Sequence, residues 1–425
     1  MWDLLPIVLA IASLSGGSFV NIAASDRMEK DGNGKIQAVI WENPRESKES
    51  RVITGEDDGE GQGITGADNR EGQENVQEDA KKKEWEQEVE LAGPVYEREA
   101  KAPDKVTISF AGDISFAEGY ANMSHYHSSG NDITKCILPE VIEVMDSADI
   151  MMLNNEFTYS TRGAPLSGKT FTFRAMPQMA QNLSRLSVDL VSLANNHVYD
   201  YGETALLDTM DTLDQYGIPY VGAGRNLEEA KKIVYFQSGG LRIAFVSATQ
   251  VERSYVFTKE ATDQTPGVLR TFQPDTFQEV IRKAEETSDF VVVYVHWGTE
   301  GTNYFEGDQQ LLGYQYIDAG ADLVIGAHPH CLQGIEYYKG VPIVYSLGNY
   351  WFNSKTLDTG LVEADVGEDG LKELRFVPCL QQGCRTSLVT DEGQKLRVYR
   401  FLEGISANIS IDGNGVIRET VTEGN

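Results

Sequence analysis

The sequence predicts an α/β protein whose sheet is buried on both faces. Three observations carry that prediction. Between residues 106 and 325, apolar runs of strand length alternate with segments of helical spacing. Several of the runs are continuously apolar, as in strands covered by helices on both sides. Five runs end, on their C-terminal side, in Gly112-Asp113, Asn154-Asn155-Glu156, Asn195-Asn196-His197, His296-Trp297-Gly298 and His328-Pro329-His330. Ligands of open α/β sheets gather outside the carboxyl ends of the strands, so these polar endings predict a single site.

Composition narrows the function classes. The chain has 425 residues with 65 Asp+Glu against 36 Lys+Arg, a formal charge of −29. Nucleic-acid phosphates would be repelled, so nucleic acid is excluded as a partner. An anionic substrate would need a metal or a local basic patch. The 41% hydrophobic content is enough for a large core. None of the four cysteines falls in a CxxC pair, which argues against a structural zinc knuckle. Cys379 and Cys384 are close enough in sequence for a small disulfide loop in an oxidising compartment; unpaired core thiols are the alternative.

In chain order, residues 4–20 form an apolar run interrupted by Pro, Ser and Gly. It has about the length of a signal h-region, and residues 1–24 are read as a signal peptide or membrane anchor. Residues 25–104 are acidic, with few aromatics and no sustained period, and read as a disordered linker. The globular domain spans 105–353. Within it, 106–111, 150–153, 188–193, 241–247, 290–295 and 323–325 read as strands. Segments 139–147, 176–186, 203–216, 275–287 and 309–319 have helical spacing, and Gly217 stops the third of these. The strand at 323–325 breaks at Gly326. If the chain stays extended past the break, His328 and His330, two residues apart, leave it in the same direction. A further apolar segment, 341–347, ends in Gly348-Asn349. Residues 354–425 form a β-rich extension that either completes the sheet or makes a small subdomain. Its strands at 361–366 and 374–378 flank the turn Gly367-Glu368-Asp369-Gly370.

Four of the six histidines, His197, His296, His328 and His330, fall at these run ends; His125 and His127 lie in a polar loop. A single histidine at such a place is weak grounds for a ligand, but four together with Asp113 and Asn196 are not. Imidazole, carboxylate and amide oxygen suit Zn, Mn or Fe rather than Ca. One or two such ions could share these donors and clamp an oxyanion.

The motifs Ala111-Gly112-Asp113, Leu153-Asn154-Asn155-Glu156, Asn195-Asn196-His197-Val198-Tyr199-Asp200-Tyr201-Gly202, His296-Trp297-Gly298-Thr299-Glu300, Gly326-Ala327-His328-Pro329-His330 and Tyr345-Ser346-Leu347-Gly348-Asn349 resemble, in order, those of the CapA family of poly-γ-glutamate capsule biosynthesis proteins. The likeness covers about residues 106–352. That family is similar to calcineurin-like metallophosphoesterases, which implies a four-layer α/β/β/α metallophosphoesterase-like sandwich, here with the β-rich C-terminal extension. The first motif of the wider superfamily is Asp-x-His; here it is Asp113-Ile114-Ser115, so one imidazole is absent. Glu156 stands nearest the usual bridging Asp, one methylene longer.

The resemblance implies Asp113, Asn196, His296, His328 and His330 as metal ligands. It implies Glu156 as ligand or general base, and His197 as general acid or oxyanion-stabilising group, oriented by Asp200. Arg174, Asn349 and Glu300 are candidates for contact with substrate, Arg174 through an anionic group. The implied function is capsule polymer biosynthesis at the extracytoplasmic face of the cell membrane, or in secreted form if the N-terminus is cleaved. The implied partners are an anionic polymer such as poly-γ-glutamate, the membrane through the N-terminus and the subunits of a membrane polymer synthase. The chemistry would be that of a metal-dependent hydrolase or transferase; a non-catalytic polymer-binding partner of the synthase and a general metallophosphodiesterase are the alternatives.

Overall fold

In the computed structural model of the chain, residues 28–30, 36–38, 91–252 and 256–420 are described. The expected signal peptide or anchor, residues 1–24, lies outside them, and none of the described helices is long and apolar enough to cross a membrane. The chain divides into two units, residues 1–77 and 78–425. In the first, Met28–Lys30 pairs antiparallel with Ile36–Ala38.

The second unit holds the predicted alternation. In chain order its main elements are β1 (Val95–Glu97), β2 (Val106–Ile114), α1 (Ala121–Ser128), α2 (Pro139–Ser147), β3 (Ile150–Asn155), α3 (Gln181–Arg185), β4 (Leu190–Ser192), α4 (Glu203–Tyr216) and β5 (Tyr220–Val221). Next come β6 (Val234–Ser238), β7 (Leu241–Thr249), α5 (Asp275–Thr287), β8 (Phe290–His296), α6 (Gly307–Asp318), β9 (Leu323–Ala327), β10 (Ile335–Tyr338), β11 (Val341–Val344) and β12 (Asn349–Trp351). The chain ends with β13 (Leu357–Gly367), β14 (Gly370–Gln382), β15 (Arg385–Leu388), α7 (Glu392–Ile405), β16 (Ile409–Ile411) and β17 (Val416–Glu419).

Among the described residues these strands make two large sheets. The first, of ten strands, runs β16-β17-β14-β13-β2-β3-β4-β5, with β12 beside the end of β2 and β15 beside β14. The second, of seven, runs β10-β11-β9-β8-β7-β6-β1. Strands β2 to β5 are parallel in one sheet, and β7, β8, β9 and β11 in the other. β1 lies inside the stretch read as linker, paired with β6; residues 39–90 of that stretch are outside the described residues.

Side-chain alternation builds the layers. Ile108, Phe110 and Met152 of the first sheet meet Phe236, Phe245, Val292 and Ile325 of the second in one buried cluster. The opposite faces carry the alternate residues. Met151, Leu153 and Val191 pack under Val141 and Met145 of α2 and Leu206 and Met210 of α4. Val246, Val293 and Val324 pack under Phe277 and Ile281 of α5 and Tyr316 of α6. The result is the expected α/β/β/α sandwich. Its inner layer is intolerant of truncation: Phe245→Ala would cost about 3–5 kcal/mol.

Aspartates set the parallel register. Asp149, Asp189, Asp289 and Asp322 each stand just before a strand. Each accepts a backbone N–H from the neighbouring strand, at Thr107 (2.7 Å), Met151 (2.9 Å), Arg242 (2.7 Å) and Val291 (2.9 Å). Each also donates its own N–H back to the same residue's carbonyl. A one-residue slip would break both bonds and reverse every side chain. The amino ends are thereby pinned, and the carboxyl ends come level.

The C-terminal residues complete the first sheet rather than forming a subdomain. β13 pairs antiparallel with β2, and its hairpin with β14 turns at Gly367 and Gly370 as the sequence predicts. Three local expectations are corrected. α7 was not expected; its Val398 and Leu402 bury against the inter-sheet core. His125 and His127 lie in α1, not a loop. Residues 176–186 divide into a 3₁₀ turn, Pro177–Ala180, followed by the short α3.

Candidate metal centre

The carboxyl ends of β2, β3, β4, β8 and β9 meet on one side of the sandwich. Asp113 is the penultimate residue of β2, Glu156 follows β3 and His296 closes β8. Asn195, Asn196 and His197 follow β4, and His328 and His330 follow β9.

At their meeting point lies Glu156, fully buried. Its Oε1 is 3.7 Å from His296 Nε2, 3.8 Å from His330 Nε2 and 3.9 Å from His197 Nε2. That oxygen has no hydrogen-bond partner, and neither does the buried Nδ1 of His328. Orphaned buried polar atoms of this kind are costly unless something binds between them. Two donor sets overlap at Glu156: Glu156, His296 and His328 form one, Asp113, Glu156 and His330 the other, each with its ligand atoms within 4.8 Å of one another. Glu156 thus occupies a bridging position. Carboxylate and imidazole donors at this spacing fit a divalent transition metal.

Side chains around the cluster hold it in place. Asn154 Nδ2 donates to Asp113 Oδ1 at 2.8 Å and lies 3.2 Å from Glu156 Oε2 and 3.3 Å from His296 Nδ1. Asn195 Nδ2 donates to Asn154 Oδ1 at 3.1 Å, while its Oδ1 accepts from the backbone N–H of His197 and Val198, each at 3.0 Å. Asn196 Oδ1 lies 2.8 Å from His296 Nε2, and Asp113 Oδ2 lies 3.0 Å from His330 Nδ1. On the far side, His197 Nδ1 is 2.7 Å from Asp200 Oδ2, which also accepts from Phe173 N at 2.6 Å. Phe173 packs on the His197 ring, centroids 4.2 Å apart.

Burial sets the proton affinities. Desolvation first, and the neighbouring Asp113 charge second, hold the Glu156 carboxyl well above its usual range. Desolvation and the other imidazoles push His296 and His328 well below theirs, which keeps them neutral and able to bind a cation. His197 is lowered by burial against the opposing pull of Asp200. For His330 burial also lowers, but the hydrogen bond and charge of Asp113 outweigh it and the net shift is upward.

The path of the chain after β9 differs from the extended one expected. The strand continues through Gly326 to Ala327. Glycine is required there because a Cβ would lie 2.1 Å from Tyr345 O and 2.4 Å from Trp297 Nε1. His328 and His330 then adopt φ of 101° and 57°, and a left-handed backbone around Pro329 makes the two rings converge. For His328 this is a sparsely populated conformation costing about 1–3 kcal/mol, of the sort stored at functional sites.

The structure brings together Asp113, Glu156, Asn196, His197, Asp200, His296, His328 and His330. Asn349 also belongs to the cluster: it is 1% exposed, paired in register with Asp113. Of the other two predicted residues, Arg174 lies away from the cluster and Glu300 at its edge. The Arg174 guanidinium lies over the Tyr201 ring, 4.1 Å from its centroid, and Nη1 donates to Arg162 O at 3.4 Å. Glu300 is exposed, on a groove it shares with His330, Cys331 and Lys355. Trp297 and Tyr345 pack as core, stacked at 5.6 Å. All four cysteines are free, so Cys379 and Cys384 form no disulfide.

Sequence reasoning missed Asn154, Asn195 and Lys169. The two asparagines stand inside the motifs, beside the residues chosen, and their doubled Asn-Asn pairs were the available signal. Lys169 sits in a polar loop with no local mark of its role. Its side chain is 7% exposed, and Nζ is 2.6 Å from Asp200 Oδ1 and also donates to Asn196 O.

Fold and site together define a four-layer α/β/β/α protein with a buried carboxylate–imidazole cluster of the kind that holds a divalent metal. Its particular family follows from comparison with known proteins. Residues 107–354 match the model of the bacterial capsule synthesis protein PGA_cap, and the chain belongs to that family. It is 31% identical over 328 residues to "Capsule biosynthesis protein CapA" of Bacillus anthracis, covering 75% of this chain and 77% of that one. It is also 31% identical over 281 residues to "PGA biosynthesis protein CapA" of Bacillus subtilis, covering 65% and 71% respectively. Among solved structures, a 5'-nucleotidase from Candida albicans aligns over 66% of this chain and 53% of its own at 12% identity, with a TM-score of 0.35.

Proposed function

We propose that this protein acts in the biosynthesis of poly-γ-glutamate or a related capsule polymer, held by its N-terminus at the extracytoplasmic face of the membrane beside the subunits of a polymer synthase. We further propose that its buried cluster is the centre of a metal-dependent hydrolase or transferase. The observation that carries the catalytic part is Glu156 Oε1, unpartnered and 3.7–3.9 Å from three imidazole nitrogens. The apolar run at residues 4–20 supports tethering, and family membership supports the polymer.

Glu156, His296, His328 and Asn196 would hold one ion of Zn, Mn or Fe type, and Asp113, Glu156 and His330 a second. When bound, such an ion polarises an oxygen and brings a water towards ionisation at neutral pH. It would also offset the repulsion between an anionic polymer and an anionic protein. The chain's own contribution to proton transfer lies at His197. An ionised Asp200 can only accept, so His197 Nδ1 carries the hydrogen and its Nε2 lone pair faces the cluster. Lys169 pairs with Asp200 Oδ1 and so holds the carboxylate in place against His197. A neutral His197 takes a proton at Nε2 and returns it to the departing oxygen or nitrogen. Phe173 covers the ring and limits water on that side. This arrangement suits attack at a phosphoester or an amide-like γ-glutamyl bond.

One observation favours a second reading, a polymer-binding partner of the synthase without turnover: Ser115 stands where the superfamily places an imidazole. The experiment is metal analysis of the purified full chain, followed by turnover of a generic phosphodiester and of γ-glutamyl peptides with and without His328→Ala/His330→Ala. Metal-dependent γ-glutamyl turnover lost in the double variant is the expected result. Bound metal and polymer binding without turnover would establish the partner reading. Phosphodiester turnover with no action on γ-glutamyl substrates would detach the protein from capsule chemistry.

A further inference from the structure

With Asn196 counted beside Glu156, His296 and His328, the first ion would have four donors, while the second set, Asp113, Glu156 and His330, has three, Ser115 standing where an imidazole would be the fourth. Ser115 cannot act in its stead: its hydroxyl accepts from Ala117 N at 3.3 Å, and its own N–H is held by Trp351 O at 3.1 Å. The strand that holds it, β12, brings a different side chain to the place.

β12 runs parallel to the end of β2, with Asn349 opposite Asp113. Paired residues of neighbouring strands stand about 4.8 Å apart and project to the same face. Asn349 therefore points where Asp113 points, towards the cluster. Two glycines make the approach possible. Asp113 N donates to Gly348 O at 2.9 Å, and a Cβ on Gly112 would lie 1.9 Å from that oxygen. Gly348 itself turns at φ 68°. Asn349 is 1% exposed, yet neither Oδ1 nor Nδ2 makes a hydrogen bond of ordinary geometry; its amide is near enough to His330 to raise that ring's proton affinity, which places it beside the second donor set. A buried amide without a well-formed hydrogen bond costs about 2 kcal/mol or more. Burying it there at the edge of a donor cluster is explained if the amide oxygen has a cation to bind.

We propose that Asn349 Oδ1 is a ligand of the cation held by Asp113, Glu156 and His330, replacing the imidazole absent at Ser115. This rests on the metal reading above. Amide oxygen is an accepted donor for Mn and Fe and tolerable for Zn, and it adds no charge to a site that already has two carboxylates. The proposal explains why Gly348-Asn349 follows an apolar segment in the same sequence pattern as Gly112-Asp113: each pair is a close-approach glycine followed by a donor.

The test is metal stoichiometry and affinity on the full chain, by elemental analysis and titration with Mn and Zn, independent of any activity. Wild type is expected to bind two ions. Asn349→Ser should keep one ion at unchanged affinity and bind the other at least about 10–100-fold more weakly. Asn349→Asp, which preserves an oxygen donor, should retain both. His296→Ala should weaken the opposite ion. Wild type and Asn349→Ser both binding two ions with equal affinity overturns this assignment while leaving the metal centre standing, as does a wild type whose single ion is insensitive to Asn349→Ser. No metal bound by wild type overturns the centre itself. Unchanged circular dichroism of the metal-free variants separates lost ligation from lost folding.

Discussion

Lys169 Nζ lies 2.6 Å from Asp200 Oδ1, and only 7% of the lysine side chain and none of the aspartate are exposed. A buried pair of this kind is costly to break on one side, because the remaining charge has no water to turn to. Lys169→Met is expected to lower stability by about 3–5 kcal/mol. Adding Asp200→Asn should restore part of that, with a coupling of about 0.5–3 kcal/mol in a double-mutant cycle. Urea midpoints of the four proteins check this; strictly additive effects would mean the two residues act separately.

Glu156 is shared by both donor sets and carries a charge that burial disfavours. Glu156→Gln removes the ionisable group and the shared carboxylate ligand while keeping the shape. The metal-free variant is expected to be at least as stable as metal-free wild type. Wild type should gain about 2.7 kcal/mol per bound ion at one hundred times that ion's Kd, and the variant far less. Thermal melts with and without Mn or Zn read both quantities. An equal metal-induced rise in the two proteins would remove Glu156 from the centre.

His328 holds a φ of 101° that glycine adopts freely and other residues do not. His328→Gly relieves about 1–3 kcal/mol of strain and loses about 0.4–1 kcal/mol to a freer unfolded chain. The metal-free variant is therefore expected to melt no lower than wild type, with cation binding greatly weakened. A melting temperature several degrees below wild type would show that the ring contributes more to packing than to ligation.

The thiols give a pH-dependent prediction. Burial raises Cys136 and Cys379 to about 12 and Cys331 to about 11. A raised thiol pKa leaves the unreactive protonated form in excess at pH 8. In the native protein these three should react with iodoacetamide far more slowly than in urea, and native labelling should still be rising about tenfold per pH unit up to pH 9, where unfolded thiols level off. Rapid labelling of Cys136 or Cys379 in the native state, followed by mass spectrometry, would contradict their burial.

Much of the fold was legible because periodicity reports burial directly. The helices Pro139–Ser147, Glu203–Tyr216 and Asp275–Thr287 lie where their spacing puts them. The run endings Asp113, Glu156, His197, His296, His328 and His330 converge because parallel strands pinned by Asp149, Asp189, Asp289 and Asp322 end level. α7 was missed because its apolar residues, Leu396, Val398, Tyr399, Phe401, Leu402 and Ile405, crowd its second half on both sides of the helix, and those that bury gain their partners from distant strands. Lys169 was missed for a similar reason: nothing within four residues of it says that it will be buried.

The sequence by itself determined most of the strands of the two sheets, the helices Pro139–Ser147, Glu203–Tyr216 and Asp275–Thr287, and which polar side chains stand at the strand ends. Those are local properties, set by backbone sterics and by apolar spacing along one segment. The tertiary structure alone decided that Asn349 faces Asp113, that Glu156 Oε1 sits among three imidazoles, and that Lys169 closes on Asp200. The hydrophobic effect that drives collapse has no direction, so it does not specify which remote segments become neighbours. That choice falls to strand register, to the glycines that permit close approach, and to the hydrogen bonds made once the sheets have paired.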